Sequence, residues 1–138
     1  MPATAGNTSQ PATRELVVED DRTSRAALVG LLRIIGFDPL PAASVAEGLR
    51  LLEKRPHCLI LDLMLPDGNG SDILAHVRKH NIPALVVVTT GALEFQTALS
   101  PPNATPDAIF PKPLDFNRLS EWLNVNVGPA SAKGETQT

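Results

Sequence analysis

Short apolar runs alternate along most of this chain with segments whose leucines, isoleucines and valines recur every three or four residues. Residues 16–18, Leu-Val-Val, form a run without polar alternation, the pattern of a strand covered on both faces. Leu28, Leu31, Leu32 and Ile35 then fall on one helical face, with Thr23 or Ser24 to cap the helix and Gly36 to stop it. Residues 37–42 read as a weak strand in which Pro39 and Pro41 remove N–H donors on the same side, which suits only a sheet edge. Ser44 caps a second helix with Val45, Leu49 and Leu52 turned inward and Lys54-Arg55 at its end.

The second half repeats the alternation. A strand at 58–61 leads into the turn Pro66-Asp67-Gly68-Asn69-Gly70, and a helix follows with Ile73, Leu74 and Val77 inward. Pro83 precedes the most hydrophobic strand, 84–89. Residues 92–99 predict two turns of helix, ended by Pro101 and Pro102. A short strand at 108–110 precedes Pro111-Lys112-Pro113, and a last helix from about Asp115 turns Phe116, Leu119, Trp122 and Leu123 inward. Strands alternating with helices imply a parallel sheet with helices on both faces. Right-handed crossovers put every strand's carboxyl end on one rim.

That rim collects the chemistry. Glu19, Asp20 and Asp21 close the first strand, Asp62 closes the third, and Thr89 or Thr90 and Lys112 follow the later two. Ligands bind at this end of open parallel sheets. Converging carboxylates repel one another and need a cation, so the residues point to a divalent metal site. Asp21 reads as a solvated residue near a helix start, with a third metal ligand as the alternative, and Asp67 as a turn former beside Gly68. His57, His76 and His80 show neither metal-ligand spacing nor a nucleophile partner, so they read as structural.

Composition narrows the picture. The chain has 138 residues, 43% of them hydrophobic, and a net charge of −3. Nothing in that balance suggests a nucleic-acid or membrane surface. No apolar run approaches the ~20 residues of a membrane span, and the start lacks the apolar stretch of a signal peptide. The single cysteine, Cys58, excludes an internal disulfide, fits a reducing cytoplasm and reads as a small core residue. Residues 1–14 and 128–138 read as disordered tails, and 15–127 as one domain with no room for a second.

Val17-Val18-Glu19-Asp20-Asp21, Asp62 with Met64, Pro66 and Gly70, Thr90-Gly91 and Lys112-Pro113 stand in order at suitable intervals. Together they resemble the receiver domain of two-component response regulators, over nearly all of the folded part. The resemblance implies a flavodoxin-like doubly wound sheet of five parallel strands in the order 2-1-3-4-5, which makes the proline-bearing second strand an edge. It implies that Asp62 accepts a phosphoryl group from a histidine of a sensor kinase or phosphotransfer protein. It implies Mg²⁺ as cofactor, held by Asp20, Asp62 and the Met64 carbonyl, with Glu19 acting through water. Lys112 and the Thr90 hydroxyl are then the groups that meet the phosphoryl oxygens; Thr90 is preferred to Thr89 because Gly91 follows it. The Lys112–Pro113 bond is expected to be cis.

Two features depart from the family's pattern. Residues 100–106 replace the end of a full fourth helix, leaving that helix short or irregular, and Ile109 stands where an aromatic is common, with Phe110 one place later. Both put the usual output surface in question. The expected function is a stand-alone phosphoacceptor that acts by protein contact; the alternative is a pseudo-receiver scaffold that binds regardless of phosphate. An aspartate-nucleophile phosphatase is disfavoured because Met64 stands where such enzymes place an acid/base aspartate.

Overall fold

The structure, a computed structural model, describes residues 13–91 and 105–128. The expected helix at 92–99, most of the departing segment 100–106, and nearly all of both expected tails lie outside these residues. Strand β1 (Arg14–Val18) is followed by helix α1 (Arg22–Ile34), β2 (Asp38–Ala42), α2 (Val45–Leu51) and β3 (Cys58–Asp62). A small hairpin of β4 (Met64–Leu65) and β5 (Gly68–Asn69) leads into α3 (Gly70–Lys79), then β6 (Leu85–Thr90), β7 (Ala108–Pro111) and α4 (Phe116–Asn126).

The five long strands form one sheet in the order β2-β1-β3-β6-β7, all pairs parallel. With the hairpin left out of the count this is the expected 2-1-3-4-5 order of a flavodoxin-like fold. The strand carrying Pro39 and Pro41 is an edge, where missing N–H donors cost the sheet nothing.

Alternate strand residues face opposite layers. Leu16, Val18, Leu59, Leu61, Val86 and Val88 pack with Ile73, Leu74 and Val77 of α3 and Val45 of α2. Val17, Ile60 and Val87 pack on the other face with Leu28 and Leu32 of α1 and Leu119 and Leu123 of α4. Cys58 is buried and unpaired in that second layer, as a small core residue should be.

Local chemistry sets the helix ends, with two departures from expectation. Asp21, rather than Thr23 or Ser24, caps α1 by accepting the Ser24 N–H at 2.8 Å. Phe116 opens α4 but is 39% exposed, because it stands in the helix's first turn above the layer that Leu119 and Leu123 fill. Asn69 and Asp72 form a capping box on α3, and Ser44 caps α2 as predicted. Tertiary ties then fix the later strands: Asp107 accepts from the Val86 N–H at 2.8 Å and from Arg78 at 3.1 Å, holding β7 to β6 and α3.

At the opposite end of the sheet from the acidic rim, Glu15 is fully buried in β1, and neither carboxylate oxygen has a hydrogen-bond partner among the described residues. Burial pushes its carboxyl up to about 8; the nearby Thr13 hydroxyl and Asp38 amide, short of full hydrogen-bond geometry, offset this only in part. The folded chain thus holds a proton there that the unfolded chain releases above the ordinary value of 4.5. The resulting stability is complete below that value and is lost as pH rises towards about 8. Near neutrality the loss is about 3–4 kcal/mol. Glu15→Gln is therefore expected to melt higher than wild type at pH 7.5, by roughly 8–15 °C, and to flatten the pH dependence between pH 5 and 8. Parallel pH profiles for the two proteins would show that Glu15 is ionised in the fold.

Candidate functional site

The parallel register brings the ends of β1, β3, β6 and β7 to one rim, and the residues predicted for that rim meet there. Glu19 and Asp62 are buried, whereas Asp20 is exposed. One carboxylate oxygen from each of Glu19, Asp20 and Asp62 lies within 4.8 Å of the other two. Lys112 reaches over from the end of β7, its Nζ 3.1 Å from Asp62 Oδ1 and 3.5 Å from Glu19 Oε1. The Lys112–Pro113 bond is cis, as expected.

The charges perturb one another. Burial raises the Glu19 carboxyl above its ordinary range and the Asp62 charge adds to this, against the pull of the Asp21 N–H and Lys112. Burial works against the charge on Lys112, but Asp62 and Glu19 outweigh it and raise its pKa. One ammonium thus balances three crowded carboxylates incompletely. Hard oxygen donors with residual negative charge are the set a small divalent cation such as Mg²⁺ takes.

The two threonines differ in placement. Thr89 pairs in register with Asp62 and donates to the Leu61 carbonyl at 3.4 Å. It also lines a crevice of about 350 Å³ with Glu19, Lys112, Leu114 and Phe116. Thr90 ends β6; its carbonyl accepts the Lys112 N–H at 3.0 Å and its hydroxyl donates to the Gly91 carbonyl at 2.9 Å. Met64 follows Asp62 in the hairpin, more than half exposed, and its N–H donates to Asp62 Oδ1 at 3.3 Å. Ile109, where an aromatic was expected from the resemblance, is 40% exposed on the edge strand.

Arg25 escaped the sequence reading, which took Gly70 only as part of the resemblance and Asp67 only as a turn former. Arg25 on α1 donates to the Glu19 carbonyl at 2.8 Å and the Asp20 carbonyl at 3.3 Å, bracing the acidic pair from behind. Its position one turn into the helix after the pair was the available signal. Gly70 packs against the Asp62 backbone and donates its N–H to the Leu63 carbonyl at 2.8 Å. Asp67 does more than shape a turn: its carboxylate accepts the Val45 N–H at 2.8 Å and the Ala46 N–H at 3.0 Å. These two donors hold the Asp67 carboxyl below its usual range. The histidines are otherwise engaged: His57 Nδ1 accepts the Arg14 N–H, and the His76 and His80 rings lie 4.2 Å apart away from the rim.

Comparison with known proteins places this geometry. The family model for the response regulator receiver domain matches residues 16–124. The photosynthetic apparatus regulatory protein RegA of Cereibacter sphaeroides is 32% identical over 88% of this chain and 62% of its own length. The transcriptional regulatory protein CpxR of Klebsiella pneumoniae is 32% identical over 75% of this chain and 44% of its own. This chain therefore spans less than two thirds of either relative. Among solved structures, a CheY-like response regulator receiver domain protein from Methanospirillum hungatei superposes with a TM-score of 0.75 at 25% identity, covering 88% of this chain and 98% of that one. Among the described residues no helix is long and apolar enough to cross a membrane.

Proposed function

The chain belongs to the response regulator receiver family of two-component signalling, and from that premise we propose that Asp62 accepts a phosphoryl group from a phosphohistidine donor. The donor is a sensor histidine kinase or a histidine phosphotransfer protein. The observation that carries this reading is the convergence of Lys112 on Asp62 at 3.1 Å inside a three-carboxylate cluster. The reaction is a displacement: an Asp62 carboxylate oxygen attacks phosphorus, the bond from phosphorus to the donor imidazole breaks, and the imidazole leaves with the electron pair. An acyl phosphate results.

Such a transfer asks mainly for alignment and charge neutralisation. Burial of Asp62 holds its carboxylate in one orientation, and the Met64 N–H and Lys112 fix Oδ1. Lys112 would pass from Asp62 to an incoming phosphoryl oxygen, and the Thr90 hydroxyl, at the rim end of β6, would exchange its Gly91 carbonyl for another. Thr89, one residue deeper, forms wall rather than switch. Asp20, Asp62 and the Met64 carbonyl would hold Mg²⁺, with Glu19 acting through water. When bound, the ion supplies charge neutralisation at the phosphoryl oxygens. The product adds about two negative charges, and moving Thr90 and Lys112 toward them reshapes the surface between β6 and α4. Output then passes by protein contact rather than catalysis, in the cytoplasm that the unpaired Cys58 suits.

Intact mass after incubation with acetyl phosphate or a phosphorylated histidine phosphotransfer protein tests the reading. The expected result is a gain of one phosphoryl group with Mg²⁺ and none with EDTA. A gain unaffected by EDTA, or no gain from either donor, would overturn it; the second outcome would favour a scaffold that binds without phosphate.

A further inference from the structure

The hairpin that follows Asp62 carries the Met64 carbonyl, the one backbone atom in the proposed metal site, yet it has little structure of its own. Only Met64 with Asn69 and Leu65 with Gly68 pair across it. Its base is held by the Gly70 N–H on the Leu63 carbonyl. Leu65 packs in part against the core layer under α2 and α3. Its tip, Pro66-Asp67, has one polar tether among the described residues: the Asp67 carboxylate takes the N–H groups of Val45 and Ala46, the first two residues of α2, at 2.8 and 3.0 Å.

That tether ends on a fixed point. The next two amides of α2 are satisfied locally, Glu47 N–H by the Ser44 hydroxyl at 3.1 Å and Gly48 N–H by the Ser44 carbonyl at 3.0 Å. The Glu47 carboxylate in turn accepts the Ala43 N–H at 2.8 Å. Just upstream, the Ala42 carbonyl accepts the Glu19 N–H at 3.0 Å. A short path therefore runs from the Glu19 backbone through the end of β2 and the start of α2 to the tip of the hairpin. It links the acidic pair of β1 to the loop after Asp62 by a second route, beside the direct pairing of β1 with β3 that ends at Val18 and Leu61.

We infer that Asp67 is a positioning residue for the metal site: its bidentate hold on the start of α2 sets the hairpin so that the Met64 carbonyl faces Glu19, Asp20 and Asp62. Asp67 touches no reacting atom and acts through the hairpin. The inference rests on the functional reading above, and its test separates the two. Outer groups that orient metal ligands typically contribute 10- to 100-fold in affinity.

The experiment is calorimetric titration of the metal-free protein with Mg²⁺, without phosphodonor, for wild type, Asp67→Ala, Asp67→Asn and Ser44→Ala. Asp67→Ala is expected to raise the half-saturating Mg²⁺ concentration about tenfold. Asp67→Asn, which keeps one acceptor oxygen, should fall between it and wild type. With acetyl phosphate at saturating Mg²⁺, the uptake rate of Asp67→Ala should return to within about twofold of wild type, since the ion itself then orders the hairpin. Ser44→Ala removes a cap from the same helix without touching the hairpin; it should lower the melting temperature and leave the Mg²⁺ titration unchanged. A titration of Asp67→Ala that superimposes on wild type, or an equal shift in Ser44→Ala, would overturn the inference and leave the functional reading standing. A wild-type protein that binds no Mg²⁺ would overturn both.

Discussion

Asp62→Asn is expected to take up no phosphoryl group under conditions that label the wild type fully, while melting within about 1 kcal/mol of it. The asparagine amide has the carboxylate's shape and keeps an acceptor oxygen for the Met64 N–H, so the end of β3 has no reason to move. What disappears is the nucleophilic oxygen and one of three crowded charges. Lys112 retains Glu19 as a partner at 3.5 Å, and Glu19 is relieved of a like charge that helps raise its own carboxyl. The small net cost reflects two opposed terms, a lost ion pair and a lost repulsion. Intact mass and a thermal melt on the same sample check both halves. Full uptake by the variant would move the acceptor elsewhere on the rim, and a collapsed melt would mean that the Asp62 charge is structural.

Gly70→Ala is expected to lower phosphoryl uptake by about two orders of magnitude and to destabilise the fold by about 1–3 kcal/mol. A Cβ at this position would overlap the Asp62 carbonyl oxygen and stand 3.0 Å from its carbonyl carbon and 3.3 Å from Leu63 Cα. All three neighbours are backbone, so no side chain can rotate away. Either α3 or the end of β3 must retreat, breaking the 2.8 Å bond from the Gly70 N–H to Leu63 and tilting the Asp62 carboxylate away from Lys112. Misplacement on the order of 1 Å is enough for a 100-fold loss in a reaction that depends on alignment. Gly30→Ala is the control: nothing lies within 4 Å of its added Cβ in α1, and alanine's helix preference should leave it neutral or stabilised by up to about 1 kcal/mol. Uptake in Gly70→Ala equal to that of Gly30→Ala would show that the contact does not position Asp62.

The parallel sheet, its proline-bearing edge and the rim were legible because they follow from patterns that no tertiary contact overrides, whereas the full strand order came from the family resemblance. Uninterrupted apolar runs define strands covered on both faces, and Pro39 and Pro41 exclude the second strand from the interior of the sheet. Glu19, Asp20, Asp62 and Lys112 converge because parallel strands end on one side. The hairpin of β4 and β5 was invisible: two residues per strand leave no periodicity to read. Asp67 looked like a turn former because its partners lie 22 and 21 residues away in another element. Glu15 could have been found, since it stands two residues before Val17 and alternation puts both on the same buried face; the acidic side chain drew no attention at the start of a strand. The Thr89–Thr90 choice lies at the edge of what spacing resolves, because one residue of strand separates the crevice wall from the strand's end.

The most direct measurement on this molecule is borohydride reduction of the phosphorylated protein followed by peptide mass mapping. Reduction converts an aspartyl phosphate to an alcohol, so homoserine in place of Asp62, absent without phosphodonor or with EDTA, is the expected product. A reduced side chain at Glu19 or Asp20 instead, or a phosphate that survives borohydride on a hydroxyl or imidazole, would contradict the assignment of Asp62 as the phosphoryl acceptor.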